Sequence, residues 1–161
     1  MAQKVFASFS HRLDDTAAEE FRELFSDERE VFIDKSIRHD IGELKKETIK
    51  TRLRGLIADS SVTVVLLGAE TGGRWWIDWE IYNSLRKSDG NNRSGLLGIR
   101  IKYKEHWVPE RLEANIPEMG LIIDWPRDKR TLANAVEEAY KKRDGKPDLS
   151  RDLRTRDSKK K

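Results

Sequence analysis

"SVTVVLLGAETGGRWWIDWEI", residues 61–81, is the stretch on which the fold turns. Its first part, VTVVLL at 62–67, is apolar almost throughout, as in a strand covered on both faces. A glycine-rich turn, GAETGGR, follows. Residues 75–87 then carry Ile77, Ile81 and Leu85 at helical spacing. Three of the chain's five tryptophans, Trp75, Trp76 and Trp79, fall in this helix, and Glu80 follows the last of them.

Outward from this unit the same alternation recurs. KVFASF at 4–9 is a β-rich run, and TAAEEFRELF after it repeats Ala17, Phe21, Leu24 and Phe25 at helical spacing. Thr16 with Glu19 fits a capping box. VFID at 31–34 predicts a second strand. Asp40 and Glu43 suggest the next helix start, and Ile49, Leu53, Leu56 and Ile57 form its stripe. GLLGIRI at 95–101 and LIID at 121–124 are the fourth and fifth strands, with 102–118 irregular between them. Asp128 can cap a last helix striped by Leu132, Val136 and Tyr140. Apolar strands alternating with amphipathic helices imply an α/β fold with a parallel sheet and helices on both faces. Five such strands suggest the flavodoxin-like arrangement, order 2-1-3-4-5. Ligands then bind beyond the carboxyl ends of the strands, near the switch point between strands 1 and 3. SFSHR, Asp34 with Lys35, and GAETGGRWW meet there.

Composition limits the chemistry. The 161 residues suit one domain with a real core. Net charge is +3, yet residues 146–161 hold seven basic and three acidic side chains, which leaves −1 for residues 1–145. The domain is therefore read as 1–145 and the remainder as a basic, solvated, disordered tail, ahead of a nucleic-acid or acidic-partner site. No cysteine is present, which excludes disulfides and thiolate chemistry and suits a cytoplasmic protein. No apolar run is long enough for a membrane span. His11, His39 and His106 lack metal-ligand spacing, so no metal site is expected. His11 lies at the ligand edge and reads as an exposed loop residue ahead of a catalytic one. No GxxxxGK or GxGxxG loop is present. GAETGG is read as turn chemistry ahead of an anion site.

Glu80 remains. At about 100° per residue, the stripe of Ile77, Ile81 and Leu85 centres about 100° from Glu80, with Ser84 and Trp76 flanking the carboxyl. Glu80 thus stands at the edge of the apolar stripe, walled on one side by an indole and partly desolvated. A boundary salt-bridge residue fits the same periodicity. Asp78 falls at the opposite boundary, without such a wall.

KVFASFSHRLDD and LIADSSVTVVLLGAETGGRWWIDWEI resemble the TIR-like family of bacterial Thoeris anti-phage defence, over roughly residues 3–101. Members open with a K-V-F-x-S-F strand and carry an S-x-V-T-V-V-L strand followed by R-x-W-x-x-x-E-I. The resemblance implies a TIR-like, flavodoxin-like three-layer sandwich. It also implies an NAD glycohydrolase or ADP-ribosyl cyclase, with NAD as substrate and no cofactor. The family's W-x-x-x-E spacing falls on Trp76 and on Glu80 as the catalytic residue. The implied substrate-binding set is Phe6, Ser8, Ser10, Arg12, Asp34 and Trp76. Phe6, Ser8 and Ser10 match the first loop, and Arg12 meets phosphate. Asp34 with Lys35 opens a loop that packs on a neighbouring protomer. Implied partners are further TIR-like surfaces, a phage-derived trigger, and an effector protein reached through a diffusible cyclic ADP-ribose-type messenger. A non-enzymatic TIR-like interaction module, with Trp75 and Trp79 as anchors, stays open beside this reading. So does another N-glycosidic transferase acting on nucleosides.

Overall fold

The computed structural model describes residues 3–26, 32–34, 46–86, 93–102 and 104–159. Along the chain run β1 (Gln3–Ser8), α1 (Asp15–Ser26), β2 (Phe32–Asp34), α2 (Lys46–Ala58), β3 (Val62–Leu67), α3 (Trp75–Ser84), β4 (Gly95–Arg100), α4 (Glu110–Ala114), β5 (Gly120–Asp124) and α5 (Lys129–Lys142). All strand pairings are parallel. β1 pairs with β3, β3 with β4 and β4 with β5, and the three-residue β2 lies beside β1.

The two-residue period of the strands divides the core into two layers. Val5, Ala7, Val62, Val64, Leu66, Leu97 and Ile99 face α1 and α5, where Phe21, Leu132, Val136 and Ala139 meet them. The opposite face carries Phe6, Val65, Leu67 and Leu96. It is covered by α2 through Ile49, Leu53 and Ile57, by α3 through Ile77, Trp79, Ile81 and Leu85, and by α4 through Leu112. All six residues of β3 are buried, as its unbroken apolar run required. Ser8 belongs by parity to the α2–α3 face. It ends β1 directly beneath α3, and this parity sets up the site.

Several local readings are corrected. α1 begins at Asp15, so Thr16 lies inside the helix and not at its cap; the carbonyl of Asp14 takes the amide of Ala18 instead. The region read as irregular contains α4, a five-residue helix entered from Pro109 and too short to show periodicity. The helix start suggested at Asp40 and Glu43 falls outside the described residues. Asp128 does cap α5, its carboxylate accepting from the amide of Thr131 at 2.8 Å.

The largest correction concerns the tail. The charge of residues 146–159 predicts a solvated, disordered tail; most of these residues are indeed exposed, but hydrogen bonds hold them as a strap across α4 and the start of α3. Asp148 and Asn115 exchange hydrogen bonds, with the Asp148 amide donating to Asn115 Oδ1 at 2.7 Å. Arg111 donates to the carbonyls of Arg151 and Asp152. Leu153 packs against the cluster that contains Trp79, and Ser158 donates its amide to the carbonyl of Gly73 at 2.8 Å. Most of these partners are main-chain groups, which every sequence carries and no composition reveals. The strap also explains a glycine: a Cβ on Gly73 would strike the carbonyl of Ser158, and one on Gly72 would strike Trp107.

Candidate active site

The switch point between β1 and β3 opens a small hollow. β1 leads to α1 on one face and β3 leads to α3 on the other, so the loops diverge. Phe9, Ser10, His11, Arg74, Trp76 and Ile77 line the hollow, and Glu80 is the carboxyl within it. Its volume is about 80 Å³. That is well under the 300–1,000 Å³ typical of sites for whole small ligands, so it has room for only part of such a molecule.

Glu80 is 7% exposed. This is deeper than its helical angle implied, because α2 covers the Trp79 side of α3 while the sheet covers the Ile77 side. Its Oε1 accepts a 2.6 Å hydrogen bond from the Ser8 hydroxyl. Among the described residues, no cation is paired with it. Burial pushes the carboxyl up to about 8, against a smaller opposing pull from the Ser8 hydrogen bond. At neutral pH burial therefore favours the protonated acid. A cation entering the hollow would favour its ionised form.

Trp76 forms the wall that the sequence implied. Trp75 stacks on it at 4.2 Å between ring centroids, and Trp79 meets it edge-on at 5.5 Å. Trp76 thus lines the hollow, while Trp79 belongs to the core against α2. Ser10 lies at the rim and donates to Glu70 at 2.8 Å. Glu70 in turn faces Arg74 at 3.6 Å.

The other sequence-derived candidates are placed elsewhere. Phe6 is buried among Ile49, Leu53 and Ile57, where it supports the layer beneath Trp79 and does not line the hollow. Arg12 is exposed in the turn after β1 and is absent from the lining. Asp34 ends β2, paired in register with Val5. Phe9, His11, Arg74 and Ile77 were not among the sequence-derived site residues. His11 stacks against Phe9 at 4.3 Å and stands 3.8 Å from Asp15. Arg74 had a signal available, because it immediately precedes the tryptophan pair at the mouth of α3.

The glycine turn is spent on itself. The Gly68 amide donates to the Thr71 hydroxyl and the Gly73 amide to the carbonyl of Glu70. A larger hollow of about 450 Å³ lies across α3, between α4 and the strap. Asp78 pairs with Arg111 there and Glu110 with Arg151, and Asp152, Arg154 and Arg156 also line it. Among the described residues, no three His, Cys, Asp or Glu side chains are grouped to hold a metal ion, and no helix is long and apolar enough to cross a membrane.

Comparison with known families matches residues 6–106 to the Thoeris protein ThsB, TIR-like domain. The chain belongs to this TIR-like family of Thoeris anti-phage defence. The match covers more than half of the chain and takes in the end of β1, the glycine turn and all of α3. The family region therefore contains every residue lining the Glu80 hollow. It ends before α4, β5, α5 and the strap.

Proposed function

We propose that this chain cleaves the nicotinamide–ribose bond of NAD at Glu80 and forms a cyclic ADP-ribose-type messenger that activates a separate effector in anti-phage defence. The sheet is taken as the full five-stranded, flavodoxin-like arrangement, with β2 at its edge. One observation carries the reading: a buried carboxyl, with no cationic partner among the described residues, held by Ser8 in a hollow walled by Trp76.

The chemistry suits that carboxyl. The nicotinamide ring of NAD is cationic, and its arrival beside Glu80 favours ionisation, releasing the proton to solvent. The bond between C1′ and the ring nitrogen then breaks. Its electron pair leaves with nicotinamide, and the positive charge moves onto the ribose as an oxocarbenium ion. A carboxylate nearer the ribose than the ring stabilises this transition state more than the bound substrate, which is the condition for catalysis. Water attacking C1′ and losing a proton gives linear ADP-ribose, whereas a nucleophile within the same molecule gives the cyclic product. The 80 Å³ hollow takes the nicotinamide end, and the diphosphate and adenosine extend over the strand edge. Ser10 and Arg74 at the rim are the polar groups nearest that path.

The test is chromatographic. Purified protein is incubated with NAD, alone and with lysate of infected cells, and nicotinamide and cyclic product are measured. Wild type releases nicotinamide, and Glu80→Gln lowers the rate by about 10³-fold or more. Full activity in Glu80→Gln overturns the assignment.

A second reading draws on the same carboxyl. An acid protonated at rest inside a small hollow also fits a non-enzymatic TIR-like interaction module with Trp75 as an anchor. In that case Trp75→Ala abolishes self-association measured by solution size, and no condition yields nicotinamide.

A further inference from the structure

The strap lies outside the matched family region, yet it reaches the hollow. Asp157 Oδ1 accepts the amide of Trp75, the first residue of α3, at 2.9 Å. Its Oδ2 stands 3.2 Å from Arg74 Nη1. Arg74 lines the Glu80 hollow and also faces Glu70, the acceptor of Ser10. One carboxylate of the strap therefore fixes both the start of the helix that carries Trp76 and Glu80 and the guanidinium at the rim.

The strap is anchored well enough to act in this way. The amide of Arg154 donates to Asp78 Oδ2 at 2.7 Å, Arg111 holds the carbonyls of Arg151 and Asp152, and Ser158 is bonded to Gly73. Asp157 is thus held between two fixed points, Arg154 and Ser158. A carboxylate at a helix N-terminus accepts from an amide of the first turn and is favoured by the helix dipole.

We propose that Asp157 is a positioning residue of the candidate active site, acting through Arg74 and the first turn of α3. The strap then completes the site from outside the family region. This inference rests on the NAD-cleaving reading above. Asp157 and Arg74 are both partly exposed, with side chains 40% and 28% accessible, so their ion pair adds little to global stability. Its consequence is geometric: a reacting group displaced by about 1 Å can cost about 100-fold in rate.

Two variants separate the two contacts. Asp157→Asn keeps an acceptor for the Trp75 amide but removes the charge facing Arg74, and Asp157→Ala removes both. In NAD cleavage, Asp157→Asn and Arg74→Ala each lower kcat/KM about 10-fold, and the double variant is no worse than Arg74→Ala alone. Melting temperatures stay near wild type. By amide hydrogen exchange, Asp157→Ala speeds exchange at Trp75 about 10-fold while β3 amides are unchanged, and Asp157→Asn leaves Trp75 near wild type. Additive losses in the double variant, or unchanged Trp75 exchange in Asp157→Ala, overturn the proposal. Wild-type protein that never cleaves NAD, with the exchange response intact, refutes the NAD-cleaving function and reduces the strap to a structural clasp.

Discussion

Asp78 and Glu80 stand two residues apart on α3, and both are buried, at 9% and 7% exposure. Their surroundings differ. Asp78 meets Arg111 with an Nε–Oδ1 distance of 2.8 Å and accepts the amide of Arg154 as well. Arg111, itself 2% exposed, spends its remaining donors on strap carbonyls. Among the described residues, Glu80 has one neutral hydroxyl, Ser8, and an indole-walled hollow. A buried carboxylate with its charge and lone pairs satisfied is a structural joint. A buried carboxyl given one hydroxyl and open space is held in a state that an incoming cation can change. Burial alone does not distinguish the two; their partners do.

The largest effect should come from breaking the satisfied side. Arg111→Ala leaves the Asp78 charge buried and unpaired and releases two strap carbonyls. Denaturant unfolding should show a loss of about 3–5 kcal/mol. A loss under about 1 kcal/mol would mean that the joint is not what holds this edge of α3.

The other side should respond in the opposite direction. Glu80 keeps its proton up to about pH 8 in the folded chain, whereas its ordinary value is 4.5. Across that window the folded state binds one proton more than the unfolded state. Stability contributed by neutral Glu80 is therefore complete below about pH 4.5 and is lost as pH rises through about 8, by up to ~1.4 kcal/mol per pH unit. Glu80→Gln removes that slope. The stability of the variant minus that of wild type should rise from pH 5 to pH 8 and then level off. A difference independent of pH would place Glu80 in water.

A smaller change sharpens the comparison from the Ser8 side. Ser8→Ala deletes the hydrogen bond that opposes the effect of burial on Glu80. Unfolding measurements should show a cost of about 1–3 kcal/mol, and the pH midpoint of the wild-type stability slope should move upward. A downward movement would show that Ser8 favours the protonated acid.

Much of this was legible in the sequence, and the reasons are particular. The unbroken apolar run at 62–67 marked a strand buried on both faces, and the glycine turn after it delivered Glu80 to the strand edge. Trp76 one turn before Glu80 marked the indole wall. The wheel of α3 underestimated the burial of Glu80 because periodicity registers only the face toward the sheet. The covers supplied by α2, α4 and the strap come from distant segments. For the same reason Asp78 read as an open boundary, since Arg111 lies 33 positions away and on a helix too short to announce itself. Resemblance places Phe6 in the pocket, whereas it lies on the same face as Ser8 but two residues earlier on β1, packed beneath α2. The strap was misread because its contacts are made largely by backbone groups and by acids that composition counts only as charge.

The most direct measurement is nicotinamide release from NAD as a function of pH, from 6 to 9, for wild type and Glu80→Gln under identical activating conditions. With Glu80 as the group that steadies the ribose cation, wild-type kcat/KM rises with pH toward a plateau above about 8. At saturating NAD the rise in kcat falls at lower pH, because the bound cation favours the ionised acid, and Glu80→Gln is nearly inactive throughout. Equal release by the two proteins, or a wild-type profile that Glu80→Gln reproduces, would contradict a catalytic role for Glu80.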